Sequence, residues 1–321
     1  FRVVALVPAA PRWKADFTAR WMGSTCEAAL CFANWPSGYG HNPTQRVPDQ
    51  LMQDSARALA ELLLPYQIGM LHFCTWSPVM SLLAGFLAVP AVASVHQFYP
   101  GSDTSMPGFA DAIHCSSRQH AKRWEKHAHS WVMAQVCPVE GRYFDLRHDR
   151  AVSINAASDP WRVLVSGTLQ ERKNQLEAVG AVVQLRQEGW NVELDVIGYE
   201  NFYPEYADQC KAFAADAGMA EFIRLHGFID DPLPFYARAD VLLVAATDES
   251  MPQTILQAMA AGVAVVSTRV GGVPEMVRHR YTGILSASPW RDDLANSLRE
   301  WFDLSNSARQ EVLARAGRAI S

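Results

Sequence analysis

The feature that most constrains this chain is a repeated alternation of short apolar runs with stretches of helical periodicity. This alternation is typical of parallel strands joined by crossover helices, so we expect an α/β protein. In the first half the predicted strands lie near Arg2 to Val7, Ile68 to Phe73, Ala91 to Val95 and Ala112 to Cys115. In the second half they lie at Arg162 to Ser166, Val192 to Ile197, Phe222 to Leu225, Val241 to Ala245, Val263 to Ser267 and Gly283 to Leu285.

Helices are predicted between these strands. In the first half, residues 50 to 64 have helical spacing, and Ser117 can cap a helix through Trp124. In the second half the predicted helices are at about 174–187, 204–217, 253–261, 291–302 and 307–319. Apolar periodicity fades from Cys137 to Pro160, which predicts a boundary and a hinge. We therefore expect two doubly wound Rossmann-like domains, residues 1–150 and 151–321, facing each other across a cleft.

The composition restricts the cellular setting and the partners. The six cysteines form no C-x-x-C pair, which fits neither a disulfide framework nor a structural zinc site and favours the cytoplasm. No apolar run approaches the roughly 20 residues of a membrane span. Lys and Arg minus Asp and Glu gives 13 − 11 = +2 for residues 1–150 and 15 − 22 = −7 for 151–321. A mildly basic first half suits peripheral contact with an anionic acceptor or a membrane surface, but a charge difference this small also arises by chance. Nothing indicates nucleic-acid binding.

The residues just after each predicted strand are the candidate ligand contacts, because open parallel sheets bind ligands beyond the carboxyl ends of their strands. After Ser166, a turn at Gly167 leads to Arg172 and Lys173 at the start of a helix. Two cations and free backbone N–H groups suit a diphosphate. The alternative interpretation is a solvated helix start.

A second segment follows the strand that ends at Ala245. Pro252 suits the first turn of a helix, and the N–H groups then predicted to point into the cleft belong to Met251, Gln253 and Thr254. Glu249 lies at the mouth of this helix, where it either meets a ligand or only complements the helix dipole. Gln257 lies two helical turns further on, as a ligand contact or as a surface polar residue.

Two further segments carry weaker signals. The pair Gly271 and Gly272 allows a close approach of the backbone to a ligand or to another element, or forms only a tight turn before a short helix. Phe228 follows a strand and can flank a base, or it packs as a buried aromatic against the sheet.

The order and spacing of these segments resemble the C-terminal domain of retaining glycosyltransferases of the GT-B fold, family 4, the group-1 glycosyltransferases. The resemblance covers about residues 160–305 well and the first half loosely. Its most specific part runs from Tyr236 to Glu275, where an acid, Ala-Met-Ala-Ala-Gly and Gly-Gly-x-Pro-Glu follow in sequence.

The resemblance implies a role for each matching position. Lys173, helped by Arg172, would bind the donor diphosphate, Glu249 would contact the donor sugar, and backbone near Phe228 would meet the base. Relatives usually have a Glu that bridges the ribose hydroxyls where this chain has Gln257, and many have an Arg where it has Thr168.

In the first half, His96 resembles the strand-end histidine that such enzymes aim at the donor sugar, and Leu71-His72-Phe73 resembles the preceding strand. His96 and His72 are therefore candidate site residues, although a lone histidine more often has a structural role. The glycine pair usual after the first strand is absent from Pro8 to Arg12.

No metal or cofactor is expected. His114, His120, His127 and His129 lack the i, i+4 spacing of a metal pair, and the chain has no D-x-D triplet. The cations at 172 and 173 and the helix N-termini would then offset the donor charge.

The resemblance implies metal-independent, retaining transfer of a sugar from a nucleotide-diphosphate sugar to an acceptor hydroxyl on a glycan, a lipid-linked or a small molecule. A non-catalytic nucleotide-sugar-binding or regulatory subunit is the alternative, favoured by Gln257, Thr168 and the missing glycine pair. A nucleotide-sugar 2-epimerase or a phosphorylase is a third possibility, which the Glu249 segment disfavours.

Overall fold

A computed structural model describes residues 4–8, 28–32, 49–73, 78–95, 110–125, 131–134, 138–149, 159–201 and 203–320. Contacts within the chain divide it into two compact units. The first unit comprises Phe1–Cys115 and Ala121–Met133, and the second comprises Ser116–His120 and Ala134–Ser321. Each unit contains parallel strands joined by helices, so the predicted α/β class is confirmed.

The first unit has a parallel pair, β1–β2, and a four-stranded sheet in the order β3-β4-β5-β6. The strands are β1 (Val4–Pro8), β2 (Ala28–Phe32), β3 (Leu71–Phe73), β4 (Ala91–Val95), β5 (Ala112–Cys115) and β6 (Trp131–Ala134). The helices are α1 (Asp49–Leu63), α2 (Pro78–Leu87) and α3 (Arg118–Trp124), of which α3 begins in the second unit. Leu59 and Leu63 of α1 pack with Leu83 of α2 and Ala91 of β4, which fastens both helices to one face of the sheet.

The second unit is built on a six-stranded parallel sheet in the order β12-β11-β10-β7-β8-β9. Its strands are β7 (Trp161–Ser166), β8 (Val192–Ile197), β9 (Ile223–Gly227), β10 (Val241–Val244), β11 (Ala264–Thr268) and β12 (Ile284–Ser286). Its helices are α4 (Gly141–Asp149), α5 (Gln175–Gln187), α6 (Pro204–Asp216), α7 (Leu233–Arg238), α8 (Gln253–Ala260), α9 (Val273–Met276), α10 (Arg291–Phe302) and α11 (Asn306–Ile320).

Both faces of this sheet are buried. In β7, Val163 and Val165 belong to one core cluster and Leu164 to the other, as the period of two in a strand requires. A strand covered on both faces reads as a continuous apolar run, which is why the sequence pattern was clearest in this half.

Most predicted elements have the observed bounds or lie within two residues of them. The strands Ala91–Val95, Ala112–Cys115 and Val192–Ile197 and the helix Arg291–Phe302 agree at both ends. The predicted strand from Ile68 is shorter, because only Leu71–Phe73 pairs with β4. The elements β2, β6, α2, α4 and α7 were not individually predicted, and α9 was foreseen only as a short helix after the glycine pair. Within the described ranges, no helix has the length and apolar character needed to cross a bilayer.

The predicted boundary between residues 150 and 151 lies in a segment, 150–158, outside the described residues. Helix α4 occupies part of the stretch where a hinge was expected. Its Tyr143 is buried in the second unit, with its ring edge-on to that of Tyr236 at 5.3 Å. The boundary itself stays a prediction.

Glu177 of α5 joins two helices of the second unit. Its carboxylate accepts hydrogen bonds from the backbone N–H of Arg291, at 2.9 Å, and from the guanidinium of Arg291, at 2.7 and 3.1 Å. These bonds stabilise the ionised carboxylate against the opposing effect of burial, so the pKa of Glu177 lies below its ordinary value. The carboxylate thereby also caps the N-terminus of α10.

We expect Glu177→Gln to lower the free energy of unfolding by about 1–2 kcal/mol at neutral pH. Because the folded-state pKa is lowered, this contribution is present above the ordinary pKa and declines as the pH falls below about 4.3. Urea unfolding at several pH values measures both effects. Glu188→Gln, which removes the more exposed pair with Arg299, is the matched control and should have a smaller effect. Equal effects of the two substitutions at neutral pH would contradict the prediction.

Candidate functional site

The site begins where β7 ends, at a turn closed by glycines. Gly198, which follows β8, has a φ of +155°, and a Cβ there would lie 1.8 Å from the carbonyl oxygen of Gly167. Only glycine therefore permits the two strand ends to approach so closely. A Cβ on Gly167 would in turn lie 3.8 Å from Cε of Lys173, so the lysine side chain passes over this turn.

Arg172 and Lys173 lie in a short 3-10 turn, Glu171–Lys173, directly before α5. Asn174 adopts a left-handed conformation, with a φ of 58°, and its side-chain amide donates hydrogen bonds to the carbonyl oxygens of Ala245 and Pro289. Gln175 is 1% exposed, and its amide donates to the carbonyl oxygen of Thr168 at 2.9 Å. The two amide side chains thus hold the turn that presents the cations.

Glu249 meets both predicted cations. Its Oε1 accepts a hydrogen bond from Nζ of Lys173, and its Oε2 lies 3.5 Å from Nη1 of Arg172. Arg172 also donates from Nη1 to the carbonyl oxygen of Asp248 at 2.6 Å. The carboxylate is 8% exposed, whereas Arg172 and Lys173 keep 28% and 22% of their side-chain surface in solvent. Two cations and one carboxylate leave one net positive charge, which can bind an anion.

The glycine pair holds the backbone beside Glu249. Gly271 has a φ of +49°, and a Cβ there would lie 1.4 Å from the carbonyl oxygen of Glu249. The N–H of Gly272 donates to the carbonyl oxygen of Ser250 at 2.9 Å. The structure shows both a close approach to another element, namely the loop that carries Glu249, and a tight turn before the short helix α9.

Glu275, four residues beyond Gly271, caps helix α3. Its carboxylate accepts hydrogen bonds from the backbone N–H groups of Arg118 and Gln119, at 3.0 and 2.8 Å. Ser117 caps the same helix, as predicted, by accepting a hydrogen bond from the N–H of His120 at 3.1 Å. No contact of Glu275 was predicted, because a carboxylate that pairs with a distant helix start leaves no local pattern in the sequence.

Helix α8 begins one residue after Pro252, which is its N-cap. The side chain of Met251 is buried in the core, and the amide of Gln253 donates to the carbonyl oxygen of Pro138 at 2.9 Å. Thr254 is half-buried. The predicted donor contacts at these three positions involve their backbone N–H groups and stay predictions.

Gln257 is bound to a buried tyrosine. Its Oε1 accepts a hydrogen bond from the hydroxyl of Tyr236 at 3.0 Å, and burial raises the pKa of that hydroxyl. Gln257 is therefore more than a surface polar residue. A carbonyl oxygen has two lone pairs, so one acceptor position remains for a second donor such as a ribose hydroxyl.

Phe228 is exposed, which excludes the interpretation as a buried packing residue. Its ring is 65% exposed, and it lies edge-on to Tyr199 with ring centroids 6.0 Å apart.

Two residues before Phe228, Nε2 of His226 lies 2.6 Å from Oδ1 of Asp195. Burial raises the pKa of Asp195, but bonds from His226 and the charges of two arginines outweigh burial and hold it below its ordinary value. The sequence signal for this pair was Asp195 itself, a carboxylate within the otherwise mostly apolar strand β8, although the pair was not predicted.

Of the two candidate histidines in the first half, the structure describes only His72. His96 lies outside the described residues. His72 lies on β3, where its Nε2 is 2.7 Å from Oγ of Ser94. In the described part of the chain, no three His, Cys, Asp or Glu side chains gather as metal ligands.

Comparisons with known proteins identify the family of this chain. A family model described as glycosyl transferases group 1 matches residues 148–319, over half of the chain. The chain is similar to the amylovoran biosynthesis glycosyltransferase AmsK of Erwinia amylovora, with 31% identity over 140 residues, which are 41% of this chain and 33% of that protein. It spans less than half the length of the curated relatives it matches.

Two solved structures resemble the whole chain in fold. One is a glycosyltransferase from Rickettsia africae ESF-5, with a TM-score of 0.79 and 14% identity, covering 100% of this chain and 93% of that one. The other is Anabaena HepE in complex with UDP and glucose, with a TM-score of 0.79 and 16% identity, covering 99% and 87%. The predicted GT-B fold with two Rossmann-like domains is confirmed. The chain belongs to the group 1 glycosyl transferases.

Proposed function

We propose that this chain transfers a sugar from a nucleoside diphosphate sugar to an acceptor hydroxyl, with retention of configuration and without a metal ion. The observation that carries the proposal is the cluster of Arg172, Lys173 and Glu249 beyond the carboxyl ends of β7 and β10. Its net positive charge suits a diphosphate, whose negative charge must be offset on binding and again as the leaving group forms.

Each side chain of the cluster then has a separate task. Lys173 and Arg172 bind the diphosphate and stabilise the charge that develops on the leaving phosphate. Glu249 holds Lys173 in place until the donor binds and then orients the hydroxyls of the donor sugar. We also propose that His96 contacts that sugar, as the resemblance to the family implies.

The reaction needs no nucleophile from the protein. The bond between the anomeric carbon and the phosphate oxygen breaks, and the bond to the acceptor oxygen forms on the same face of the sugar. The proton of the acceptor hydroxyl passes to the leaving phosphate. Exclusion of water protects the donor from hydrolysis during this step.

The nucleotide would extend away from the cluster along the same edge of the sheet. The exposed ring of Phe228, with Tyr199 beside it, offers a surface for the base, and Gln257 offers its remaining acceptor position to the ribose. UDP is the first nucleotide to test, because the Anabaena HepE structure contains it. The acceptor would be a glycan, a lipid-linked or a small molecule.

A donor-binding protein without catalysis is the second candidate. The specific observation in its favour is that the carbonyl oxygen of Gln257 already accepts a hydrogen bond from Tyr236, which leaves less capacity for the ribose than a carboxylate would have. Weak binding of the nucleotide without turnover of the sugar would support this candidate.

The decisive experiment is calorimetric titration of the chelator-treated protein with UDP, GDP, ADP and dTDP. We expect saturable binding of one nucleotide, loss of that binding in Lys173→Ala, and release of the same nucleotide from its sugar derivative in the presence of acceptors. Lys122→Ala, which removes an exposed lysine of α3, is the control and should bind as the unmodified chain does. Absence of binding for all four nucleotides would refute the proposal, and a requirement for added Mg²⁺ would refute its metal independence.

A further inference from the structure

Three polar side chains form a continuous chain across neighbouring strands of the first unit. Nε2 of His72, on β3, lies 2.7 Å from Oγ of Ser94, on β4. The same oxygen lies 3.0 Å from Nδ1 of His114, on β5. Each of the three is the last but one residue of its strand. They therefore lie near the carboxyl ends of parallel strands, where α/β sheets bind their ligands.

The three hydrogen-bonded side chains lie on one face of the sheet. Ser94 pairs in register with His114, and its neighbour Ala93 packs in the core on the other face with Ile113. Polar side chains are unusual in such strands, since an unsatisfied polar group is costly in a buried sheet. Ser94 is 5% exposed, and its one hydroxyl serves both imidazoles. A serine hydroxyl can donate to one ring and accept from the other, so both contacts of Ser94 can be hydrogen bonds.

His72 is the member that can meet a ligand. It is exposed, whereas Ser94 is buried and His114 is half-buried. Its Nε2 is engaged by Ser94, and the described residues offer its Nδ1 no partner. Although part of the residue reaches solvent, partial desolvation of the ring and the nearby His114 lower the pKa of His72, so its ring is neutral at neutral pH. A neutral imidazole nitrogen suits a hydroxyl better than a phosphate.

We propose that His72 binds a hydroxyl group of the acceptor sugar through Nδ1, and that Ser94 and His114 position its ring. This inference rests on the proposed function and names a site for the acceptor in the first unit. Nδ1 of His72 can make this bond in either tautomer of the ring, because a sugar hydroxyl both donates and accepts hydrogen bonds. His72 is a contact residue, and the other two act through it.

The test distinguishes the role of Nδ1 of His72, the proposed ligand contact, from that of Nε2, which binds Ser94. In His72→Gln the new amide can still reach Ser94 in place of Nε2, but nothing replaces Nδ1. His114→Asn keeps a polar atom close to the position of Nδ1 and preserves the link to Ser94. We expect His72→Gln to weaken acceptor binding about tenfold, the loss of one hydrogen bond, and His114→Asn to change it little. Ser94→Ala should weaken acceptor binding by an amount between the effects of these two variants.

The probes are the methyl glycosides of glucose, galactose, mannose and N-acetylglucosamine, added to the full chain while imidazole ¹⁵N resonances are recorded. We expect at least one glycoside to shift the Nδ1 resonance of His72, and to bind about tenfold more weakly to His72→Gln at an unchanged melting temperature. No shift with any of the four, or equal affinity of His72→Gln and the unmodified chain, would overturn the inference.

Titration of the same samples with UDP distinguishes this inference from the proposed function. UDP binding in both proteins without a glycoside effect at His72 overturns the acceptor site alone. If UDP does not bind, the samples are titrated with GDP, ADP and dTDP as well. Glycoside binding at His72 without binding of any of the four nucleotides supports the sugar site and overturns the transferase proposal.

Discussion

Replacing Lys173 with alanine will lower the rate of sugar transfer by about 100- to 1,000-fold while the protein remains folded. Lys173 lies over the Gly167 turn and donates a hydrogen bond to Glu249, so its charge is where we place the leaving phosphate. The free energy of unfolding should fall by no more than about 1 kcal/mol, because Lys173 is itself partly exposed and Arg172 remains 3.5 Å from the buried Glu249 to offset its charge. Nucleotide release under saturating donor measures the rate.

Two variants make this result specific. Lys122→Ala removes the same side chain and charge from an exposed position of α3 and should leave the rate unchanged. Lys173→Arg keeps the charge but changes its shape and hydrogen-bond geometry, so partial activity is expected. A transfer rate in Lys173→Ala equal to that of the unmodified chain would exclude Lys173 from the reaction.

Gly271→Ala will destabilise the second unit by more than about 3 kcal/mol and abolish nucleotide binding. The new Cβ would lie 1.4 Å from the carbonyl oxygen of Glu249, so the loop that carries this carboxylate must move. The left-handed φ of +49° adds backbone strain. Urea unfolding and titration with the nucleotide that binds measure the two losses.

Gly218→Ala separates the strain from the collision. Gly218 also has a positive φ, of +71°, but a Cβ there would meet no atom within 4 Å. Its substitution should cost about 1–2 kcal/mol and leave nucleotide binding intact. If both substitutions cost the same, the contact between Gly271 and Glu249 has no energetic importance.

The sequence predicted the fold best where strands are buried on both faces. The bounds of β8 and α10 were predicted correctly at both ends, because their apolar residues follow the strand and helix periods closely. Helix α4 was missed because it is largely polar and Tyr143 is its one fully buried aromatic. Helix α7 was missed because it is a six-residue helix with a proline in its first turn.

The candidate site was predicted in part. The rule that ligands bind beyond the carboxyl ends of parallel strands selected Gly167, Arg172, Lys173 and Glu249, and the structure brings these four together. The rule did not select Asn174 and Gln175, whose amides hold the turn, because they look like ordinary polar residues at a helix start.

The sequence by itself determined the α/β class, the order of the six strands and five of the helices in the second half, and the strand ends that carry the charged residues. These depend on local periodicity and on the chemistry of residues near one another in the chain. Only the tertiary structure decided that Lys173 meets Glu249, 76 residues away, that Gln257 binds Tyr236, and that Ser94 joins two histidines. Such contacts depend on strand order and register, which arise from packing between distant segments and leave no periodic trace in the sequence.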